Sequence, residues 1–368
     1  MTTPSLEDLR RFALARTLFG PTTLERALAR LGFVQADPIR APARAQDLSL
    51  YQRVKDYRAG DLERRYERLE VEEDFFVNYG FVARTLQALM HPRSGFERYG
   101  RSRARQAEQV LAFVRERKTV HPREVERKLG SGTEENYWGG RSNTTTRLLD
   151  ALHYRGFLRV ARREAGIRVY AVSRLSAARE RDSEAGLDAL IDAAVRKYAP
   201  LPAASLVNLI ARLRYAAPQW RSELRRGLQR AKLRLARAHA GGVDWYWPAD
   251  ESALLSRRGS PAAVEGRVLL LSPFDPLVWD RRRFESFWGW PYRFEAYTPV
   301  AKRKFGYYAL PLFWNGRAVG WANLDNGGER LSATFGYVSG KPPRDKAFQR
   351  ALAAELARFE RFLGARSG

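Results

Sequence analysis

The sequence predicts an α+β protein of helical units closed by short strands, and three observations lead there. Runs of helix, helix and strand recur from the N-terminus to about residue 265, residues 266–337 turn strand-rich, and an amphipathic helix ends the chain. At 368 residues the chain is long enough for several domains. The boundaries expected are 1–100, 101–182, 183–265 and 266–368.

In the first unit, Leu6, Leu9, Phe12, Ala13, Ala15 and Phe19 recur near a helical period with Ser5 as N-cap. Gly20 is expected to end that helix, and Pro21-Thr22-Thr23 to open a second that runs through Leu31 to Gly32. A short strand then carries Gln35-Ala36-Asp37-Pro38-Ile39, followed by a third helix from about Ala43 to Tyr57. Two helices, a strand and a helix in so few residues form a small helix-turn-helix unit.

The second unit begins with an amphipathic helix over 103–117 and a shorter one from Pro122 to Leu129. After the Gly-rich stretch around Trp138-Gly139-Gly140, Asn143-Thr144-Thr145-Thr146 caps a helix with Leu148, Leu149, Leu152 and Tyr154. Gly156 stops it, and strands at 157–160 and 168–172 flank a turn at Ala165-Gly166. Three helices and a hairpin make a winged-helix unit, with Thr144 to His153 as the helix offered to a duplex groove.

In the third unit, also expected to be a winged helix, Pro202 to Ser205 opens a helix containing Leu206, Leu209, Ile210 and Leu213. A second helix over 218–239 carries Arg226, Arg230, Arg234 and Arg237 near one-turn spacing, which suits either a solvated face or contact with DNA. Trp245, Tyr246 and Trp247 mark a strand. In the last unit, Val268 to Leu271 reads as a buried strand ended by a turn. Arg293 to Tyr297, Phe305 to Phe313 and Ala318 to Leu324 read as alternating strands, with a hairpin turn at Asn315-Gly316. Residues 344–363 form the terminal helix, with Phe348, Leu352, Leu356, Phe359 and Leu363 on its core side.

Charge points to the partner. The chain has 65 Lys and Arg against 41 Asp and Glu, a formal net charge of +24, and nucleic acid is the default partner for such an excess. There is no Cys, which excludes disulfides and thiolate-bound metals. The histidines, His91, His121, His153 and His239, have no metal-binding spacing, so no metal or other cofactor is expected. No apolar run approaches the length of a membrane span. The N-terminal residues lack a signal core. A cytoplasmic, nucleoid-associated protein is expected, acting as a monomer on double-stranded DNA.

On a strand, residues two apart share a face. Gln35 and Asp37 therefore project together, while Val34 and Ala36 point toward a core. An amide that holds a water, beside a carboxylate that accepts its proton, is a minimal hydrolytic pair. An ordinary polar strand edge would look the same.

Four segments break that tie: Leu31 to Leu48, Trp138 to Tyr170, Leu271 to Arg281, and Tyr297 to Phe313 with its run Tyr-Thr-Pro-Val-Ala-Lys-Arg-Lys-Phe-Gly-Tyr-Tyr. On these the chain resembles, over nearly its whole length, the bacterial winged-helix DNA glycosylases named for YcaQ and AlkZ. The resemblance implies tandem winged-helix domains in a concave, basic DNA cradle. It implies a catalytic Gln35 and Asp37, because the YcaQ branch carries Gln-x-Asp where the AlkZ branch carries Gln-x-Gln. That branch removes N7-alkylated purines and unhooks nitrogen-mustard-type interstrand crosslinks. Where the family often has Tyr-Trp-Ala-His-Glu, this chain has Phe75-Phe76-Val77-Asn78-Tyr79, which removes a His and a Glu from proton handling there.

An N7-alkylated purine is already cationic, so it leaves without protonation by an acid. The enzyme has to stabilise an oxocarbenium-like sugar and deliver water. Asp37 suits both tasks and Gln35 orients the water. No Lys is marked as a Schiff-base nucleophile, so the expectation is a monofunctional glycosylase. Lys302, Arg303 and Lys304, placed in a turn between strands, are expected to face DNA, as are Arg281, Arg282 and Arg283, and Arg141 and Arg147 beside the groove helix. Because a crosslinked base cannot be freely extruded, Gln35 and Asp37 should lie on an open surface. The rival reading is a non-catalytic winged-helix regulator. An RNA-binding protein suits a groove-reading helix less well, and a nuclease lacks a metal-spaced acidic cluster.

Overall fold

The computed structural model describes residues 3–93, 101–130, 133–135, 141–175, 183–255, 263–327 and 331–364. Within these, side chains are described outside 101–103, 133–135 and 141–143. The Trp138-Gly139-Gly140 stretch lies outside the described residues.

The N-terminal part runs α1 (Leu6–Thr17), α2 (Leu24–Leu31), β1 (Phe33–Gln35), α3 (Ala45–Tyr51), α4 (Asp61–Arg65), β2 (Val71–Phe75), β3 (Tyr79–Ala83) and α5 (Arg84–Met90). Ser5 caps α1 in a reciprocal box with Asp8, and Thr23 caps α2 by accepting the Arg26 amide. The helix expected over 43–57 is the shorter α3, since the chain turns at Gln52 and Arg53, whose side chains are drawn into the core.

Next come α6 (Arg101–Arg117), β4 (Thr119–Val120), α7 (Pro122–Leu129), β5 (Thr133–Glu135), β6 (Arg141–Asn143), α8 (Thr144–Tyr154), β7 (Leu158–Glu164) and β8 (Ile167–Val172). Then follow α9 (Ser183–Tyr198), β9 (Leu201–Pro202), α10 (Ala203–Ala216), α11 (Leu224–Arg234), β10 (Ala236–Ala240) and β11 (Val243–Trp247). One connectivity recurs: helix, strand, two helices, then two strands, with the β5–β6 hairpin inserted between the two helices the second time. Each time the last strand lies between the other two, giving the sheet orders β1-β3-β2, β4-β8-β7 and β10-β11-β9. Ala165 and Gly166, both at positive φ, make the turn between β7 and β8.

The helix expected over 218–239 is interrupted. It exists as α11, and 236–240 pairs with β11 instead. Arg237 therefore leaves the helical stripe for a strand. Arg230 and Arg234 are not open to a partner either, because α9 presents acids at matching one-turn spacing. Arg230 pairs with Glu184 and Asp188, and Arg234 with Asp188 and Asp192.

The C-terminal part holds β12 (Val268–Leu270), α12 (Arg281–Trp288), β13 (Leu310–Trp314), β14 (Arg317–Asp325), β15 (Ser332–Tyr337) and α13 (Lys346–Leu363). The four strands form an antiparallel meander in chain order. Asn315 and Gly316, at φ of 49° and 73°, close the β13–β14 hairpin, as a type I′ turn demands. One expected strand, Arg293 to Tyr297, is absent, and the one expected over Phe305 to Phe313 is shortened to β13. Residues 293–297 are a loop, and 305–309 join β13 only from Leu310. The cause is buried Glu295, which accepts the amides of Lys304 and Phe305 at 2.8 Å each and folds the segment into a loop.

Two hydrophobic cores cross these parts. One joins Leu9 and Phe12 of α1 to Leu190, Leu209, Trp245, Phe284 and Phe313. The other joins Leu28, Leu48, Val110, Leu149 and Val160 to Leu270, Leu310 and Phe359. Between them, Arg53 and Asp275 form a bidentate pair at 2.7 and 3.0 Å with both side chains fully buried. The acidic run Glu72-Glu73-Asp74 on β2 is buried too. Glu72 meets Arg84, Glu73 meets Arg163 and the Tyr79 hydroxyl, and Asp74 meets Arg93, His91 and Gln87. Arg53, Arg84, Arg93 and Arg163 therefore hold the fold together through acids, and the net excess of +24 lies outside these pairs. Among the described residues, no helix is long and apolar enough to cross a membrane.

Candidate active site

Gly32, at φ 65°, ends α2 and turns the chain into β1. That strand pairs with β3 so that Gln35 lies opposite Gly80. The strands approach so closely here that a Cβ on Gly80 would sit 2.3 Å from the Val34 carbonyl oxygen and 2.9 Å from Gln35 Cα. Only glycine fits. The turn between β2 and β3 brings Asn78 over the same strand, and its Nδ2 donates to Gln35 Oε1 at 3.0 Å. Gln35 is thus half-exposed with its carbonyl held, leaving its NH₂ group to donate outward.

Asp37 departs from the sequence expectation. The strand stops at Gln35, so the alternation that would set both side chains on one pleated face does not extend to Asp37. The Ala36 amide still donates to the Tyr79 carbonyl at 3.0 Å, but Pro38 has no N–H to continue the ladder. Asp37 Oδ1 instead accepts the Ile39 amide at 2.9 Å, closing a short turn. Its Oδ2 has no hydrogen-bond donor among the described residues. The carboxyl is half-buried, neither sunk in a core nor on an open strand edge.

Burial raises the Asp37 pKa, and the Ile39 amide offsets this only in part. A carboxylate less content with its charge is a stronger base. Two tyrosines lie within its electrostatic reach. Burial and then the Asp37 charge push Tyr308 well above the ordinary tyrosine value, and the same two causes raise Tyr297. Tyr308 is buried. Tyr297 is 79% exposed.

The basic candidates divide. Lys302 and Lys304 are exposed on the loop before Phe305. Arg303 is half-buried: its Nε donates to the Thr298 carbonyl at 2.7 Å, and its guanidinium lies 5.1 Å from the Tyr307 ring centre. It holds the loop, and this loop is not a hairpin between strands. Of the Arg281-Arg282-Arg283 run only Arg282 is exposed. Arg281 stacks on Tyr292, 4.7 Å from its ring centre, and Arg283 is buried against the carbonyls of Tyr198 and Pro276. Arg283 shares the core side of α12 with Phe284 and Phe287, while Arg281, at the first turn, is held by the Tyr292 ring. Arg147 is half-buried on α8, and Arg141 stands on β6, its side chain outside those described.

Sequence reasoning missed Asn78 as the holder of Gln35, Gly80 as the close-approach residue and Tyr308 as a neighbour of Asp37. The first two were legible as an Asn-Tyr-Gly turn; the third required the long-range fold. Clefts of 230, 500 and 740 Å³ elsewhere on the surface are not lined by Gln35 or Asp37.

A family model described as DNA glycosylase AlkZ-like matches residues 28–362. The fold is similar to that of the Streptomyces sahachiroi DNA glycosylase AlkZ, with a TM-score of 0.64 at 14% identity over 99% of this chain and 98% of that one.

Proposed function

Since the chain belongs to the AlkZ-like DNA glycosylase family, we propose that it hydrolyses the N-glycosidic bond of N7-alkylated purines in double-stranded DNA, with Asp37 as the general base. The observation that carries this reading is the Asp37 carboxyl. It is half-buried with a raised pKa, has one oxygen held by the Ile39 amide and the other without a donor among the described residues, and stands two residues from an amide that Asn78 holds in place.

The alkylated purine carries positive charge, so the C1′–N9 bond breaks with its electron pair leaving on the base. The deoxyribose becomes oxocarbenium-like, and the Asp37 anion stabilises it. Water, held by the Gln35 NH₂, adds its oxygen to C1′ and passes its proton to Asp37 Oδ2. Products are the neutral alkylpurine and an abasic site. No lysine is asked to form a Schiff base, so the strand stays intact.

The recurring helix, strand, helix, helix, strand, strand connectivity supports three tandem winged-helix units, and the exposed Lys302, Lys304 and Arg282 are the cations assigned to the DNA backbone. A half-exposed Asp37 also suits unhooking of crosslinked purines, which cannot be extruded.

The test is release of free 7-methylguanine from duplex DNA under single-turnover conditions. General-base catalysis typically contributes about 10²–10⁴-fold. Asp37→Asn is expected to lose at least that order in rate while binding DNA nearly as tightly. A wild-type protein that binds DNA with strong sequence preference and releases no base would instead be a regulator.

A further inference from the structure

The loop between α12 and β13 presents two large apolar side chains to solvent, Tyr297 at 79% and Val300 at 76% exposure. They stand three residues apart, with Val300 opening a single 3₁₀ turn, and exposed Lys302 and Lys304 follow at once. Most exposed apolar residues in a protein are incidental. These two sit on a loop whose shape is held from several sides.

Buried Glu295 accepts the amides of Lys304 and Phe305. The Arg303 guanidinium donates back to the Thr298 carbonyl, and Asn323 Nδ2 donates to the Phe305 carbonyl at 2.7 Å. Phe294 meets the Tyr297 ring edge-on at 6.2 Å and joins it to buried Tyr308 at 5.2 Å. The loop is therefore braced at its base and apolar at its tip. A solvated loop needs neither feature. Ala36 and Ile39, on either side of the Asp37 turn, pack on the same core as Phe294 and Tyr308, so the base of this loop and the proposed catalytic carboxylate share one packed layer.

We propose that Tyr297 and Val300 form a wedge that enters the DNA duplex next to the damaged nucleotide and partly unstacks it, with Lys302 and Lys304 holding the flanking phosphates. Apolar side chains inserted between base steps are a recurrent way to open a duplex locally, and the unstacking they drive costs a few kcal/mol per step. A wedge meets a need specific to crosslinked bases: the sugar must be reached without extruding the base. The proposal rests on the glycosylase reading but is tested separately from it.

The binding test uses a duplex with a 2′-fluorinated, non-hydrolysable 7-methylguanine and 2-aminopurine as its neighbour. Wild-type protein is expected to raise the 2-aminopurine fluorescence on binding. The doubly substituted Tyr297→Ala, Val300→Ala protein, at saturating concentration, is expected to lose that rise. An equal rise in the double variant overturns the proposal.

In the excision test the double variant is expected to lose about 10- to 100-fold on fully paired DNA, the range that a few kcal/mol of unstacking corresponds to. A lesion placed in an unpaired bulge should restore most of the loss. Tyr297→Phe keeps the ring and is expected to match wild type; a Phe variant as impaired as the Ala variant would show that the hydroxyl acts instead, and the wedge fails. A fluorescence rise without base release leaves the wedge standing and removes the catalytic role of Asp37. Base release without a rise does the reverse.

Discussion

Asp37 carries one carboxyl whose two oxygens have different tasks. Oδ1 is spent on the Ile39 amide and fixes the turn, so the proton in the proposed reaction goes to Oδ2. Because burial raises its pKa above the ordinary 3.8, the charged base forms at a higher pH than for a free aspartate. Excision is therefore expected to fall as pH drops through a midpoint above that value, as read from single-turnover rates across acidic pH. A rate that stays flat below pH 3.8 would exclude Asp37 as the base. The sign for stability runs the other way. A raised carboxyl pKa means that the folded state holds the proton more tightly, so stability falls as pH rises through it. Asp37→Asn is accordingly expected to melt at or above the wild-type temperature at neutral pH, a trade of stability against activity.

At the level of elements, the site depends on one hairpin. β2 and β3 pair with β1, Gly80 permits the contact, and Asn78 at the turn holds the Gln35 amide. The Asn78–Gln35 hydrogen bond is worth about 1 kcal/mol net, or about 5-fold in rate if all of it orients the water. Asn78→Ala should therefore slow excision by roughly that factor with DNA affinity unchanged; an unaltered rate would mean that Gln35 needs no support. β2 also explains how three consecutive acids survive burial. Alternation sends Glu73 toward Arg163 while Glu72 and Asp74 face Arg84 and Arg93. For Asp74, burial alone would raise the pKa, but Arg93 and the His91 hydrogen bond outweigh it and hold the carboxyl below its usual range.

Across the whole molecule, the Arg53–Asp275 pair joins the N-terminal part, just after α3, to the turn that follows β12. Removing one partner of a buried pair strands the other charge, at a cost of about 3–5 kcal/mol. Asp275→Ala is expected to lower the denaturant midpoint accordingly, and a shift under about 1 kcal/mol would mean that the pair is dispensable. The cores reach across the expected domain boundaries, with Phe12, Trp245 and Phe313 in one cluster and Leu48, Val160 and Phe359 in the other. The site inherits this arrangement, because Asp37 comes from one end of the chain and Tyr297 and Tyr308 from the other.

Local rules made much of the chain legible. Ser5, Thr23, Gly32, Ala165-Gly166 and Asn315-Gly316 mark caps and turns whose physics lies within a few residues, and the structure has each of them. The family and the candidate pair Gln35 and Asp37 were readable on the same terms, as motifs. Tertiary structure decided which basic residues remain exposed, that Arg283, Arg230 and Arg234 satisfy internal partners, that residues 293–309 loop around Glu295, and that Asp37 lies beside two tyrosines. Those outcomes depend on groups far apart in sequence, whose burial and pairing no local periodicity encodes.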